Sequence, residues 1–74
     1  MSGLSPVKAR ILLKALKQMG FVERRQKGSH LFLSHKDGRT TVIPVHPSKS
    51  IGVGLVRSIL NDVNISPEEF DKLR

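Results

Sequence analysis

The side chains that titrate near neutral pH are three histidines, His30, His35 and His46. The chain has no cysteine and no tyrosine, and no pair of carboxylates lies near the histidines in sequence. Thiol chemistry is therefore excluded, and two-carboxylate chemistry of the glycosidase type has no support. Imidazole is the natural acid or base. His30 has the best surroundings, because it follows Gly28-Ser29 and is preceded by Arg24, Arg25 and Lys27. Glycine allows close approach of the backbone to a ligand. The three cations suit a phosphate, with an imidazole beside it to work on the ester bond. On spacing alone, an exposed strand histidine without a chemical role is the commoner reading of His30. His46 stands between two prolines and reads first as a loop histidine and second as a further proton carrier. His35 falls in a turn and is expected in solvent. The spacing of the three matches no recognised metal-ligand pattern, so neither a metal nor another cofactor is expected.

The elements that would position these residues can be read from the pattern. Ser5-Pro6 resembles a cap followed by a first helical residue. Ala9, Leu12, Ala15, Leu16 and Met19 recur on one helical face, Arg10, Lys14 and Lys17 lie on the other, and Gly20 is suited to end the helix. Strands are expected at 21–26, 29–34 and 39–45. They are separated by a turn at Lys27-Gly28 and a hairpin at His35-Lys36-Asp37-Gly38. Alternation in the middle strand puts Leu31 and Leu33 on one face, with His30 and Phe32 on the other. Residues 46–50 read as a loop and 53–63 as a second helix. In that helix Leu55, Val56, Ile59, Leu60 and Val63 share one arc, and Asn64 can close it. Ser66-Pro67-Glu68-Glu69 is a capping box that opens a short last helix, with Phe70 directed at the core.

This order predicts a single two-layer α+β domain over residues 1–74, with residues 1–4 expected to be disordered. A three-stranded antiparallel sheet would carry the helices on one face and leave the other, with His30, open. The chain has 13 Lys+Arg against 6 Asp+Glu, a net charge of +7, which points to a polyanionic partner. The basic face of the first helix reads either as a solvated surface or as a grip on phosphates. With no tryptophan, no tyrosine and three phenylalanines, an aromatic platform for single strands is not expected. No apolar run is long enough to span a bilayer, no signal peptide is evident, and the absence of cysteine fits a reducing cytoplasm.

Five strings in order then resemble a known family. They are Leu16-Lys-Gln-Met-Gly20-Phe21, Lys27-Gly28-Ser29-His30, Val42-Ile43-Pro44-Val45-His46, Arg57-Ser58-Ile59-Leu60 and Glu69-Phe70. Together, from about residue 8 to residue 73, they resemble the HicA (YcfA-like) toxins of bacterial and archaeal toxin–antitoxin systems. Two departures are visible. The first helix opens with Ser-Pro where the family more often has Ser-Gly, and the second is preceded by Gly52-Val53-Gly54 where the family more often has a Leu-x-x-Gly-Thr start. The resemblance implies an α-β-β-β-α fold like the double-stranded-RNA-binding domain. It also implies ribosome-independent mRNA endoribonuclease activity with His30 catalytic. Taken with the residues around His30, the reaction is expected to be metal-independent, with Arg24, Arg25, Lys27, Gly28, Ser29 and His46 binding RNA or supporting it. The partners implied are mRNA and a HicB-type antitoxin. A non-catalytic RNA-binding module of the same fold is the alternative.

Overall fold

The computed structural model describes residues 4–46 and 48–74. In chain order the elements are β1 (Val7–Lys8), α1 (Ala9–Met19), β2 (Val22–Lys27), β3 (His30–Ser34), β4 (Thr40–Pro44), β5 (Ser50–Ile51), α2 (Val53–Asp62) and α3 (Pro67–Leu73). The α+β class, the three-stranded antiparallel sheet in the order β2-β3-β4 and the helices on one face are as the sequence predicts.

One expectation is overturned at the start of the chain. Ser5-Pro6 does not begin the first helix. The chain stays extended through Lys8, and β1 pairs antiparallel with β5, Val7 opposite Ile51 and Lys8 opposite Ser50. Val7 and Ile51 are both buried, 3% and 4% exposed. Burial of two β-branched side chains together with a ladder outweighs a serine cap worth about 1 kcal/mol. α1 accordingly begins at Ala9 with no side-chain cap. It ends as expected at Gly20, whose φ of 106° is left-handed and whose N–H caps the last turn. The start expected to be disordered lies outside the described residues for 1–3, while Leu4 packs against the core.

The core forms where α1 and α2 lie over β4 and its neighbour β3. Leu12 and Leu16 of α1, Val56, Ile59 and Leu60 of α2, and Leu33 and Ile43 of the sheet are all buried. In β3 and β4 the alternation is clean, with Leu31, Leu33, Thr41 and Ile43 inward. β2 lies beyond the cover of the helices and is exposed along its whole length. Leu55, expected in the core arc, is instead 45% exposed. It sits at the margin of that arc, about 100° from Val56, and β4 is an edge strand with no neighbour beyond it to cover this margin. The capping box of α3 is present. Ser66 Oγ accepts from the Glu69 N–H, and Glu69 accepts from the Ser66 N–H. This fixes α3 so that Phe70 enters the core. Among the described residues no helix is long and apolar enough to cross a membrane.

Candidate functional site

The open face of the sheet is built in rows. Lys27, His30 and Pro44 are register partners across the three strands, and the next row is Arg25, Phe32 and Val42. Facing residues in adjacent strands share a side of the sheet, so Lys27 and His30 lie on the same surface. Gly28 and Ser29 form the two-residue loop between them. Gly28 has φ 60° and is the one positive φ in that loop, which is the requirement of a type II′ hairpin. Gln26 Nε2 donates to the Gly28 carbonyl at 3.1 Å, and the Ser29 carbonyl accepts from the Val45 N–H at 2.7 Å. The loop that presents His30 is therefore held from both sides.

Simple alternation would send Arg24 and Arg25 to opposite faces. A bulge between Glu23 and Arg25 changes this. Arg24 Nε donates to Ser34 Oγ at 2.6 Å, and the Arg25 guanidinium lies 4.8 Å over the Phe32 ring. Ser34 and Phe32 both belong to the open face, so both arginines now join Lys27 there. Among the described residues no carboxylate pairs with Arg24, Arg25 or Lys27. Lys27 thus faces the exposed imidazole directly, Arg25 lies one row along, and Arg24 is held at Ser34, at the far end of β3, all three without counter-charges. Such a face can bind an anion and move a proton beside it. Phe32 and Ser34 were not singled out in the sequence, although the alternation that places His30 also places them.

The other histidines separate from His30. His46 is exposed and lines a cleft with Lys8, Ala9, Arg10, Leu13 and Val45, at the end of the sheet where α1 begins. His35 corrects the expectation of a solvated turn residue. Its side chain is only 12% exposed. Nε2 lies 3.0 Å from the Met19 carbonyl, which can only accept, so Nε2 carries the proton. Nδ1 then accepts from the Asp37 N–H at 3.1 Å, and the ring meets Phe21 edge-on. His35 thus locks the β3–β4 turn to the end of α1. Asp37 belongs to the same lock. The Arg39 backbone N–H holds its carboxyl below the usual carboxylate range against the opposing effect of desolvation, and the Arg39 guanidinium adds to the lowering. The Arg39 guanidinium also donates to the Val63 carbonyl, tying the turn to the end of α2. Among the described residues no group of three or more histidine, aspartate or glutamate side chains could hold a metal.

No curated protein matches the chain. The family model for the HicA toxin of bacterial toxin–antitoxin systems matches residues 9–65, from the first residue of α1 to just beyond α2. The match takes in the whole sheet, the loop that presents His30 and more than half of the chain, and the protein therefore belongs to the HicA toxin family.

Proposed function

We propose that this toxin is a metal-independent endoribonuclease that cuts mRNA on the open face of its sheet, with His30 as the catalytic residue. The observation that carries the reading is the row of Lys27 and His30, with Arg25 in the next row and Arg24 further along the same face, an imidazole on a surface whose cations no carboxylate neutralises. The scissile phosphate binds to Lys27 and Arg25, which also stabilise the charge that builds on it in the transition state, and Arg24 holds the RNA further along the face. His30 removes the proton of the ribose 2′-hydroxyl. The 2′-oxygen attacks phosphorus, the bond to the 5′-oxygen breaks, and that oxygen takes a proton from Lys27 or water. The products are a 2′,3′-cyclic phosphate and a 5′-hydroxyl. Gly28 and Ser29 support the site through the loop geometry. The place of action is the cytoplasm, where mRNA is found. The antitoxin that the family implies is of the HicB type in this reading, and it neutralises the toxin by covering the open face.

The test is incubation of the protein with a defined mRNA in EDTA, beside a His30→Ala variant shown to be folded. Cleavage by the parent alone, with a cyclic phosphate end and no cutting of DNA, is the expected result. Cleavage by both proteins would remove His30 from the mechanism. Binding by both without cleavage would make the protein a binding module.

A further inference from the structure

The charge of this protein is segregated along the chain. Residues 1–36 hold eight of the 13 Lys+Arg and a single carboxylate, Glu23, whereas residues 37–74 hold five cations and five carboxylates. The net charge of +7 thus belongs to α1 and the β2–β3 hairpin. The hairpin cations are those of the open face. The others are Lys36, in the β3–β4 turn, and Lys8, Arg10, Lys14 and Lys17, which lie on or next to α1, a helix with no acidic residue. Lys17 is paired with Glu23. Among the described residues Lys8, Arg10 and Lys14 have no carboxylate partner. Arg10 and Lys14 are each two residues from buried Leu12, so they point about 200° away from the core-facing side.

Two depressions run along this surface. The first is the cleft of about 390 Å³ between α1 and the end of β4, with an apolar floor of Ala9, Leu13 and Val45 and with Lys8, Arg10 and His46 around it. The second continues past Arg10 and Leu13 to Lys14 and Lys17. The strand register connects the cleft to His30. His30 is opposite Pro44, and the next residue, Val45, both bonds to Ser29 and lines the cleft. The cleft therefore opens at the same end of the sheet as His30.

We propose that this cleft and the outer face of α1 form a second contact surface for the phosphodiester backbone of the RNA, separate from the open face where the bond is cut. The strand leaves His30, passes round the end of the sheet over His46, and runs along α1. Arg10 and Lys14, about 6 Å apart along the helix axis, hold successive phosphates, and the apolar floor takes a sugar or base. A protein partner fits this surface less well. The apolar floor is small and is ringed by Lys8, Arg10 and Lys14, whereas charged residues are depleted at the centre of a protein interface.

The proposal rests on the reading of the protein as acting on RNA, and its test separates the two. A fluorescent single-stranded RNA is titrated with folded His30→Ala protein over a range of salt concentrations. The same is done after adding Arg10→Gln and Lys14→Gln, and separately after adding Lys72→Gln and Arg74→Gln, an equal loss of charge on α3. The α1 pair is expected to weaken binding by roughly tenfold or more and to reduce the salt slope by about 1.4, or 0.7 for each lost phosphate contact. The α3 pair is expected to leave the slope unchanged. Equal effects of the two pairs, or no effect of the α1 pair while RNA is still bound, would overturn the second surface and leave the functional reading intact. Loss of antitoxin binding in the α1 pair with RNA binding unchanged would reassign the surface to a protein. Failure of the His30→Ala protein to bind RNA at all would overturn both readings.

Discussion

His30 and Lys27 stand directly opposite one another across the β2–β3 ladder, joined by the Gly28-Ser29 turn. The pairing gives an imidazole an ammonium group as its neighbour on an exposed surface. In the proposed reaction Lys27 stabilises the charge that develops on the phosphate. Lys27→Gln is therefore expected to lower single-turnover cleavage by about 10²–10³-fold, with little change in thermal stability because Lys27 is exposed. Unchanged cleavage would take Lys27 out of the mechanism.

His35 is predicted to matter for stability and not for chemistry. His35→Ala removes the bond to the Met19 carbonyl, the acceptor for the Asp37 N–H and the contact with Phe21. The cost should be about 1–3 kcal/mol. For a domain of this size each kcal/mol lowers Tm by about 4–8 °C. Urea denaturation gives the stability. Cleavage per folded molecule should be unaffected, and a selective loss of cleavage would overturn the structural role.

Gly20 and His35 should be coupled. A side chain at Gly20 meets a φ of 106° and would place its Cβ 3.0 Å from His35 Nε2. Gly20→Ala should cost about 1–2 kcal/mol from the left-handed backbone alone, and more from the contact. In the double variant with His35→Ala the contact disappears and only the backbone cost remains. The two changes should therefore be less than additive in a double-mutant cycle. Strict additivity would mean that the close approach has no energetic consequence.

Asp37 predicts a dependence on acid. Its carboxyl is held below the ordinary aspartate value of 3.8 in the folded protein, chiefly because it accepts the Arg39 N–H. A group whose folded pKa is depressed adds stability that is fully present above the unfolded pKa and is lost as pH falls through the folded one. Asp37→Asn should accordingly lower the urea midpoint at neutral pH. The difference from the parent should shrink as pH falls below 3.8. A difference that stays constant down to the acid limit would assign the effect to the amide geometry rather than to charge.

The capping box of α3 offers a separate check on the fold. Ser66→Ala removes the acceptor of the Glu69 N–H and should cost about 1 kcal/mol. Hydrogen exchange should show the loss first in α3, whose Phe70 is the residue that anchors it. Uniform loss across the domain would mean that α3 does not open separately.

Much of this molecule is written in short-range pattern. The helical face of Leu12, Ala15 and Leu16, the stop at Gly20, the turns at Gly28 and at Asp37-Gly38, the alternation that sends His30 outward, and the box at Ser66 each depend on residues within one or two turns of chain. Their physical causes, side-chain periodicity, positive φ and local hydrogen bonds, act over that range. The element order, the open sheet face and the exposure of His30 follow from them.

Other features were decided only when distant segments met. Residues 7–8 are extended because Ile51 and Ser50 lie beside them, and no pattern around Ser5-Pro6 can announce that. Arg24 and Arg25 share a face because β2 bulges against β3, a property of the pair of strands rather than of either alone. His35 is largely buried because Met19 and Phe21 come to its turn, while Leu55 is exposed because the sheet ends at β4. His46 goes to α1 and not to the row of His30, since the chain leaves the ladder after Pro44. The sequence by itself determined which residues could do chemistry and on which side of a strand they stand. Tertiary packing decided which of them are neighbours, because contact between remote segments depends on where the shared core brings them together.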